Sequence, residues 1–186
     1  MSNDERCELE RSAVSAPEQK PAEVSLPSDR EVLVTRSFQA PRELVYRAWT
    51  EPALMQRWLS GLPGWTMPVC EMDVRVGGRF RWGWHSEADG VHFGFHGVFQ
   101  EVVPPARIRH TEYYDPGSAG GSMTESGEAI VTLTLEEKYG ITIARTRIEY
   151  ASREARDAAL ATGMTDGMEI SYQQLDGLLV EGAGVG

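Results

Sequence analysis

The stretch from Arg79 to Phe99, RFRWGWHSEADGVHFGFHGVF, alternates apolar and polar side chains on both sides of one Asp-Gly pair. Alternation with period two is typical of a half-buried β-strand, and Asp-Gly between two such runs indicates a tight hairpin. We therefore predict an antiparallel hairpin that turns at Asp89-Gly90 and pairs Trp84 with Phe95. A one-residue slip would move every side chain to the opposite face, so the alternation restricts the pairing strongly.

The two faces of this hairpin differ sharply in chemistry. One face collects Phe80, Trp82, Trp84, Phe93, Phe95 and Phe99. The other collects Arg79, Arg81, His85, His92 and His96. An aromatic face of this size must be covered by another layer of the protein, whereas the basic face can remain in water.

Further strands follow the same pattern. EVLVTRSFQA alternates around Val32 and Val34, EVVPPARIRHTEYYD restarts a strand after two prolines, and AIVTLTLEEKYGITIARTRIEYA predicts a second hairpin. In that hairpin we expect Glu136 to face Ile141. About six antiparallel strands in succession, with no strand–helix alternation, predict an α+β fold built on one sheet.

Helical patterns flank the strands. APRELVYRAWTEPALMQRWL predicts two short helices that start near Pro41 and Pro52, and we expect Trp49 and Trp58 to form a wall at the rim of the sheet. Ser152 is a suitable N-cap for REARDAALA, and a break is expected at TGMTDG. The last helix carries one apolar stripe. Its members are Met168, Tyr172, Leu175 and Leu179.

The composition divides the chain into two parts. Residues 1–29 contain little to bury, so we expect a disordered acidic tail before a folded domain at 30–182. The formal net charge of -10 argues against a nucleic-acid partner. An acidic start instead of a basic, apolar leader, two unpaired cysteines and the lack of a long apolar run predict a cytoplasmic protein that does not insert into a membrane.

Four segments resemble one known family: SFQAPRELVYRAWTEPALMQRWL, CEMDVRVGGRFRW, HGVFQEVVPPARI and GMEISYQQLDGLL. They are similar to the activator of heat-shock protein 90 ATPase homologues, within the superfamily of START domains, polyketide cyclases and birch-pollen allergens (SRPBCC). The resemblance implies the helix-grip fold, in which a curved antiparallel sheet wraps around a long C-terminal helix. It also implies a cavity between sheet and helix.

One strand departs from the family pattern. Where members resemble PPERLVFTWEYD, this chain has PPARIRHTEYYD, which places His110 and Glu112 on the same strand face as Ile108 and Tyr114. Two residues along a strand, their side chains lie about 7 Å apart, within reach of one polar ligand. If that face is concave, the expected cavity lining is Trp82, Trp84, Phe93, Phe95, Ile108, His110, Glu112, Tyr114, Met168 and Tyr172.

These observations favour a carrier of a small apolar or amphipathic molecule, without a cofactor, metal ion or catalytic residue. His92 and His96 lie about 13 Å apart on a strand, too far for one metal ion. A co-chaperone that acts on the heat-shock protein 90 ATPase in the stress response is one alternative. It ranks lower because the eukaryotic co-chaperone of this family has an additional N-terminal domain that docks on the chaperone, whereas here we expect only a short polar tail before the first strand. A polyketide cyclase- or hydrolase-like enzyme using His110 and Glu112 is another, and a homodimer remains open.

Overall fold

The computed structural model describes residues 20–60, 63–121 and 123–182. Within them the strands are β1 (Glu23–Ser25), β2 (Glu31–Phe38), β3 (Trp65–Met72), β4 (Arg79–Ser86), β5 (His92–Val103), β6 (Arg107–Asp115), β7 (Glu128–Lys138) and β8 (Ile141–Glu149). The helices are α1 (Arg42–Thr50), α2 (Pro52–Trp58), α3 (Arg153–Ala161) and α4 (Met164–Val180).

The eight strands form one antiparallel sheet in the order β1-β2-β8-β7-β6-β5-β4-β3. The sheet is curved, and α4 packs on its apolar face, where Leu175 has no solvent exposure. This arrangement confirms the predicted α+β helix-grip architecture. The core lies between sheet and helix because both present one apolar surface, and each covers that of the other.

The helix starts follow the sequence signals. Pro41 caps α1 and Pro52 occupies the first turn of α2, as predicted. The Ser152 hydroxyl accepts a hydrogen bond from the Ala155 amide at 3.1 Å at the start of α3. The break before α4 is shorter than expected: it spans Thr162 and Gly163, whose φ of 76° reverses the chain. No helix in the described parts of the chain is long and apolar enough to cross a membrane.

The first hairpin corrects our predicted register. Trp84 pairs with Phe93 instead of Phe95, and Ser86 and Val91 close a loop of four residues. Gly90, with a φ of 72°, ends that loop and does not occupy a two-residue turn. The pairing is displaced by two residues, so every side chain keeps its predicted face.

The second hairpin shows the opposite error. Lys138 pairs with Ile141, so Tyr139 and Gly140 alone form the turn, and Glu136 faces Ile143 instead of Ile141. Both turn residues have positive φ, 56° and 74°, as a type I′ turn requires. Tyr139 is an unusual residue for that conformation, which is why its sequence does not indicate a two-residue turn.

The short strand β1 lies inside the segment that we expected to be a disordered tail. It pairs with β2, with Val24 opposite Val34, although Val24 itself is exposed. The pairing uses backbone hydrogen bonds and little side-chain burial, so residues 23–25 carry no apolar pattern that would reveal it. Residues 1–19 lie outside the described part of the chain.

An ion cluster joins α4 to the sheet. The guanidinium of Arg36 on β2, which is 3% exposed, contacts Glu169 at 3.3 Å and Asp176 at 2.6 Å. Glu169 also accepts a hydrogen bond from the Ala22 amide at 2.8 Å. One buried cation therefore pairs with two carboxylates of α4, and one of these carboxylates also binds the segment before β1.

Candidate functional site

A pocket of about 240 Å³ lies between the concave face of the sheet and α4. Most of its wall is apolar. Six of its lining side chains are tryptophan or phenylalanine, and they come from α1, α2, β4 and β5. The lining residues are Trp49, Met55, Trp58, Leu59, Trp82, Trp84, Phe95, Phe99, Ile108, His110, Glu112, Val131, Leu133, Thr146, Ile148, Met164, Met168, Ser171 and Tyr172.

The two short helices provide one wall. Trp58 is 1% exposed, and its indole N–H donates to the Ala48 carbonyl at 2.9 Å. Its ring centroid lies 4.6 Å from that of Trp49 and 6.3 Å from that of Tyr172 on α4. Each ring of this wall is thus held by contacts with its neighbours, and the indole N–H of Trp58 is satisfied by a backbone carbonyl.

Two tryptophans of β4 also line the pocket. The Trp84 indole N–H donates to the Leu59 carbonyl at 2.7 Å, which ties the strand to the end of α2. The Trp82 indole N–H is buried and has no hydrogen-bond partner within the described residues. Trp84 and Phe95 meet at an interplanar angle of 86° with centroids 5.8 Å apart, so their faces form a corner.

His110 is buried on β6 among three aromatic rings. Its ring centroid lies 4.8 Å from Phe80, 5.7 Å from Trp82 and 5.9 Å from Phe99, each in an edge-on arrangement. Burial lowers the pKa of His110 to about 4, so the ring is neutral at physiological pH.

The tautomer of this histidine follows from its one hydrogen bond. Nδ1 lies 3.2 Å from the Thr111 carbonyl oxygen, which can only accept, so Nδ1 carries the proton. Nε2 of His110 is then a bare acceptor. It has no partner in the described parts of the chain.

Glu112 is the acidic residue of the pocket. It is half-buried, and it makes no hydrogen bond or ion pair with any residue that the structure describes. His110, the partner that proximity suggested, is bonded to the backbone instead. Loss of hydration raises the pKa of Glu112 to about 7, so both protonation states are populated near neutral pH.

The structure places eight of the ten sequence-selected side chains at the pocket. They are Trp82, Trp84, Phe95, Ile108, His110, Glu112, Met168 and Tyr172. The other two, Phe93 and Tyr114, do not line it. Phe93 packs on Trp65 and Trp84, and the Tyr114 hydroxyl donates to the Gly120 carbonyl at 2.9 Å, so both extend the aromatic face beyond the pocket.

Several lining residues were not selected from the sequence. Val131, Leu133, Thr146 and Ile148 stand on the inward face of the second hairpin, and the alternation of that hairpin could have identified them. Met164 was not selected because the sequence predicts a break at residues 162–167, whereas α4 in fact begins at Met164. Ser171 follows from no pattern, since a small polar residue beside an apolar stripe carries no signal.

Other reactive side chains lie away from the pocket. His92 and His96 are exposed, and no group of acidic, histidine and cysteine residues in the described ranges is arranged to bind a metal ion. Burial raises the pKa of the Cys70 thiol to about 11, so it remains protonated and a poor nucleophile. Cys7 lies outside the described residues.

A second, wider groove of about 630 Å³ lies on the convex face. It contains Arg79, Arg81 and His96, but Glu71 pairs directly with Arg81 across the strands and Asp73 lies beside them. The His96 ring stacks on Tyr113 at 5.5 Å. The groove thus carries both signs of charge at the surface, and it is less suited to a specific ligand than the apolar pocket.

Comparisons with known proteins agree with this architecture. The family model described as "Activator of Hsp90 ATPase homolog 1-like protein" matches residues 39–180. A solved structure from Rhodobacter sphaeroides is 33% identical, with 86% of this chain and 99% of that chain covered and a TM-score of 0.77. Protein CV1439 from Chromobacterium violaceum is 30% identical, with coverages of 80% and 96% and a TM-score of 0.66.

A more distant likeness supports the fold alone. Protein Ms6760 from Mycobacterium smegmatis is 23% identical over 86% of this chain and 97% of its own, with a TM-score of 0.74. No curated protein matches the chain. The names of these three solved structures state no ligand and no reaction, so the pocket itself is the basis for inferring what the protein binds.

Proposed function

Because this chain belongs to the family of Activator of Hsp90 ATPase homolog 1-like proteins, we propose that it binds a small, largely apolar molecule in the pocket between the sheet and α4. Membership in a family or fold does not fix a function, so the proposal depends on the pocket itself. Its volume of about 240 Å³ equals that of about eight liquid waters, which suits a ligand smaller than a typical drug.

The observation that carries the proposal is an aromatic pocket with a few polar atoms facing it. Ligand sites commonly combine apolar walls with a small number of polar groups that fix orientation. Here those groups are the Glu112 carboxyl and Nε2 of His110, and neither has a partner within the described ranges. Unpaired polar atoms cost free energy in apolar surroundings, so a ligand that pairs with these two groups would gain stability from binding there.

The proposal is tested first by native mass spectrometry of the protein purified from its own host. A ligand of the proposed kind should appear as a discrete mass added to the folded protein and lost on denaturation.

A second test needs no knowledge of the natural ligand. It uses 2-phenylethanol as a probe and the indole N–H signals in NMR as a readout.

Four of the five tryptophans line the pocket, and Trp65 does not. Binding of 2-phenylethanol should therefore shift the indole signals of the four and leave that of Trp65 nearly unchanged. Met168→Phe narrows the pocket and should weaken binding, whereas Met123→Phe makes the same change at a partly buried site away from the pocket. Equal binding by both variants, or a shift confined to Trp65, would contradict the proposal.

Activation of a heat-shock protein 90 ATPase is the second candidate, and the family match favours it. The large apolar residues exposed in the described parts of the chain lie on several different elements, among them Val76 between β3 and β4, Val103 at the end of β5 and Tyr139 in the turn between β7 and β8. We therefore rank this candidate below ligand binding. Stimulation of the chaperone's ATPase by several-fold at low micromolar concentration of this protein would reverse the ranking.

An enzymatic role for Glu112 with His110 ranks third. A carboxyl whose pKa is raised to about 7 is suited to general acid–base catalysis. The pocket contains no candidate nucleophile with an adjacent base among its lining residues. Turnover of a ligand identified by mass spectrometry, abolished in Glu112→Gln, would favour the enzyme over the carrier.

A further inference from the structure

Building on the proposed function, we infer that the molecule bound in the pocket is a small organic amine, held as its ammonium ion by the Glu112 carboxylate and the surrounding aromatic rings. This assigns a charge and a chemical class to the ligand.

The charges of the lining support a cation. Glu112 is its one acidic residue, no lysine or arginine is among the lining residues, and His110 is neutral. A carboxylate removed from water in apolar surroundings is costly unless an opposite charge pairs with it. The described protein supplies no such charge at Glu112, and a ligand ammonium would supply it.

Two carboxylates of α4 do have an ion-pair partner within the protein. Glu169 and Asp176 on α4 share the guanidinium of Arg36, at 3.3 Å and 2.6 Å. Glu112 in the pocket has neither an ion pair nor a hydrogen bond in the part of the chain that the structure describes. The contrast supports a bound ligand as the partner of Glu112.

Aromatic rings complete a cation site. The faces of tryptophan rings attract ammonium groups more strongly than those of other aromatic residues. Trp49, Trp58, Trp82 and Trp84 all line the pocket. The near-perpendicular rings of Trp84 and Phe95 provide two walls, and Nε2 of His110 can accept an N–H from the same ammonium.

The pocket predicts how amine binding responds to pH. The titratable groups around Glu112 are His110 and Tyr114 on the same strand, Tyr172 on α4 and Tyr150 after β8. Burial lowers the pKa of His110 to about 4, raises that of Tyr172 to about 12 and raises those of Tyr114 and Tyr150, so all four stay neutral between pH 6 and pH 8. Glu112, with a pKa of about 7, is the group of this set that changes charge there.

The test compares 2-phenylethylamine with 2-phenylethanol, which has nearly the same shape but no charge, by isothermal titration calorimetry. At pH 8 the wild-type protein should bind the amine at least tenfold more tightly than the alcohol. The amine affinity should fall about tenfold from pH 8 to pH 6, because the carboxylate fraction of a group with a pKa of about 7 falls by that factor. The alcohol affinity should change little.

Glu112→Gln keeps the shape of the side chain and removes its charge. In that variant the amine should lose its advantage over the alcohol and its dependence on pH. Equal affinity of both compounds for the wild-type protein at pH 8 would overturn the amine inference and leave the proposed function standing. Failure of both compounds to bind at millimolar concentration, or binding unaffected by Met168→Phe, would overturn both. The pH series on the wild-type protein tests the inference even if the variant does not fold.

Discussion

At His110 and Glu112, burial acts on a base and on an acid that stand two residues apart on one strand. The pKa of His110 falls from 6.5 to about 4, so its contribution to folding stability is complete above pH 6.5 and is lost as the pH falls toward 4. The pKa of Glu112 rises from 4.5 to about 7, so its contribution is complete below pH 4.5 and is lost as the pH rises toward 7. Between pH 4.5 and 6.5 the two effects oppose each other.

The first prediction separates them by removing the acid. Glu112→Gln should be more stable than the wild-type protein at pH 8, and the difference should disappear toward pH 4. A pKa change from 4.5 to about 7 corresponds to an upper limit of about 3 kcal/mol, which solvent contact at the pocket reduces to about 1–2 kcal/mol. Urea unfolding at several pH values measures it. Glu125→Gln, at an exposed glutamate, is the control and should show no such pH-dependent difference.

The second prediction removes the base. His110→Phe keeps a ring among Phe80, Trp82 and Phe99, and it should gain stability relative to the wild-type protein as the pH falls from 6.5 to 4. The reason is that the wild-type protein must then keep a neutral imidazole that the unfolded chain would protonate. A constant difference across this pH range, again from urea unfolding, would show that folding leaves the pKa of His110 unchanged and would contradict the prediction.

Among the elements, α4 connects the stability of the fold to the shape of the pocket. Leu175 is fully buried against the core, while Met168 and Tyr172 on the same stripe line the pocket. The Arg36 cluster ties the same helix to β2. Movement of α4 away from the sheet would therefore expose core and open the pocket together.

The third prediction concerns this packing. Leu175→Asp buries an unpaired charge and should cost several kcal/mol of unfolding free energy or abolish the cooperative transition. Val180→Asp places the same charge on the same helix at a residue that is 87% exposed, and it should have little effect. Thermal unfolding followed by circular dichroism compares the two. Normal unfolding of the Leu175 variant would contradict the observed burial of the helix.

The strands show how far the sequence predicts this fold. Alternation assigned Trp82, Trp84 and Phe95 to the inward face correctly, because the face depends only on side-chain period. The registers of both hairpins were wrong by two residues, because Asp89-Gly90 belongs to a longer loop and Tyr139 adopts a positive φ without a favourable residue type. Turn geometry depends on contacts outside the turn, such as the hydrogen bond from the Glu87 amide to the Gly64 carbonyl.

At the scale of the whole molecule, the order of elements and the helix that covers the sheet could be predicted from the pattern of apolar and polar residues. The pocket could not be predicted in this way. A pocket is the volume left over when side chains from six or more elements meet, and no local pattern encodes that volume. His110 and Glu112 could still be selected, because polar residues on an otherwise apolar strand face are visible in sequence. Their lack of mutual pairing could not be anticipated, since it depends on the backbone carbonyl of Thr111.

The fourth prediction concerns where the folded domain begins. A chain shortened to residues 27–186 lacks β1 and the Ala22–Glu169 hydrogen bond, whereas one shortened to 20–186 keeps both. Loss of a few backbone hydrogen bonds should cost about 1–2 kcal/mol and lower the melting temperature by about 3–8 °C. Calorimetry of the two shortened proteins gives the difference. Equal melting temperatures would place the start of the domain at β2.

The two-residue displacement of both hairpins has a consequence for how such a sheet can vary over evolutionary time. Whether a side chain points inward depends on whether its distance from the turn is odd or even. Insertions or deletions that change a hairpin by two residues preserve this parity, so a connecting loop can lengthen or shorten while Trp82, Trp84 and Phe95 keep facing the pocket. A single-residue insertion would exchange the aromatic face for the basic one, unless a bulge such as that between Phe99 and Glu101 absorbs it.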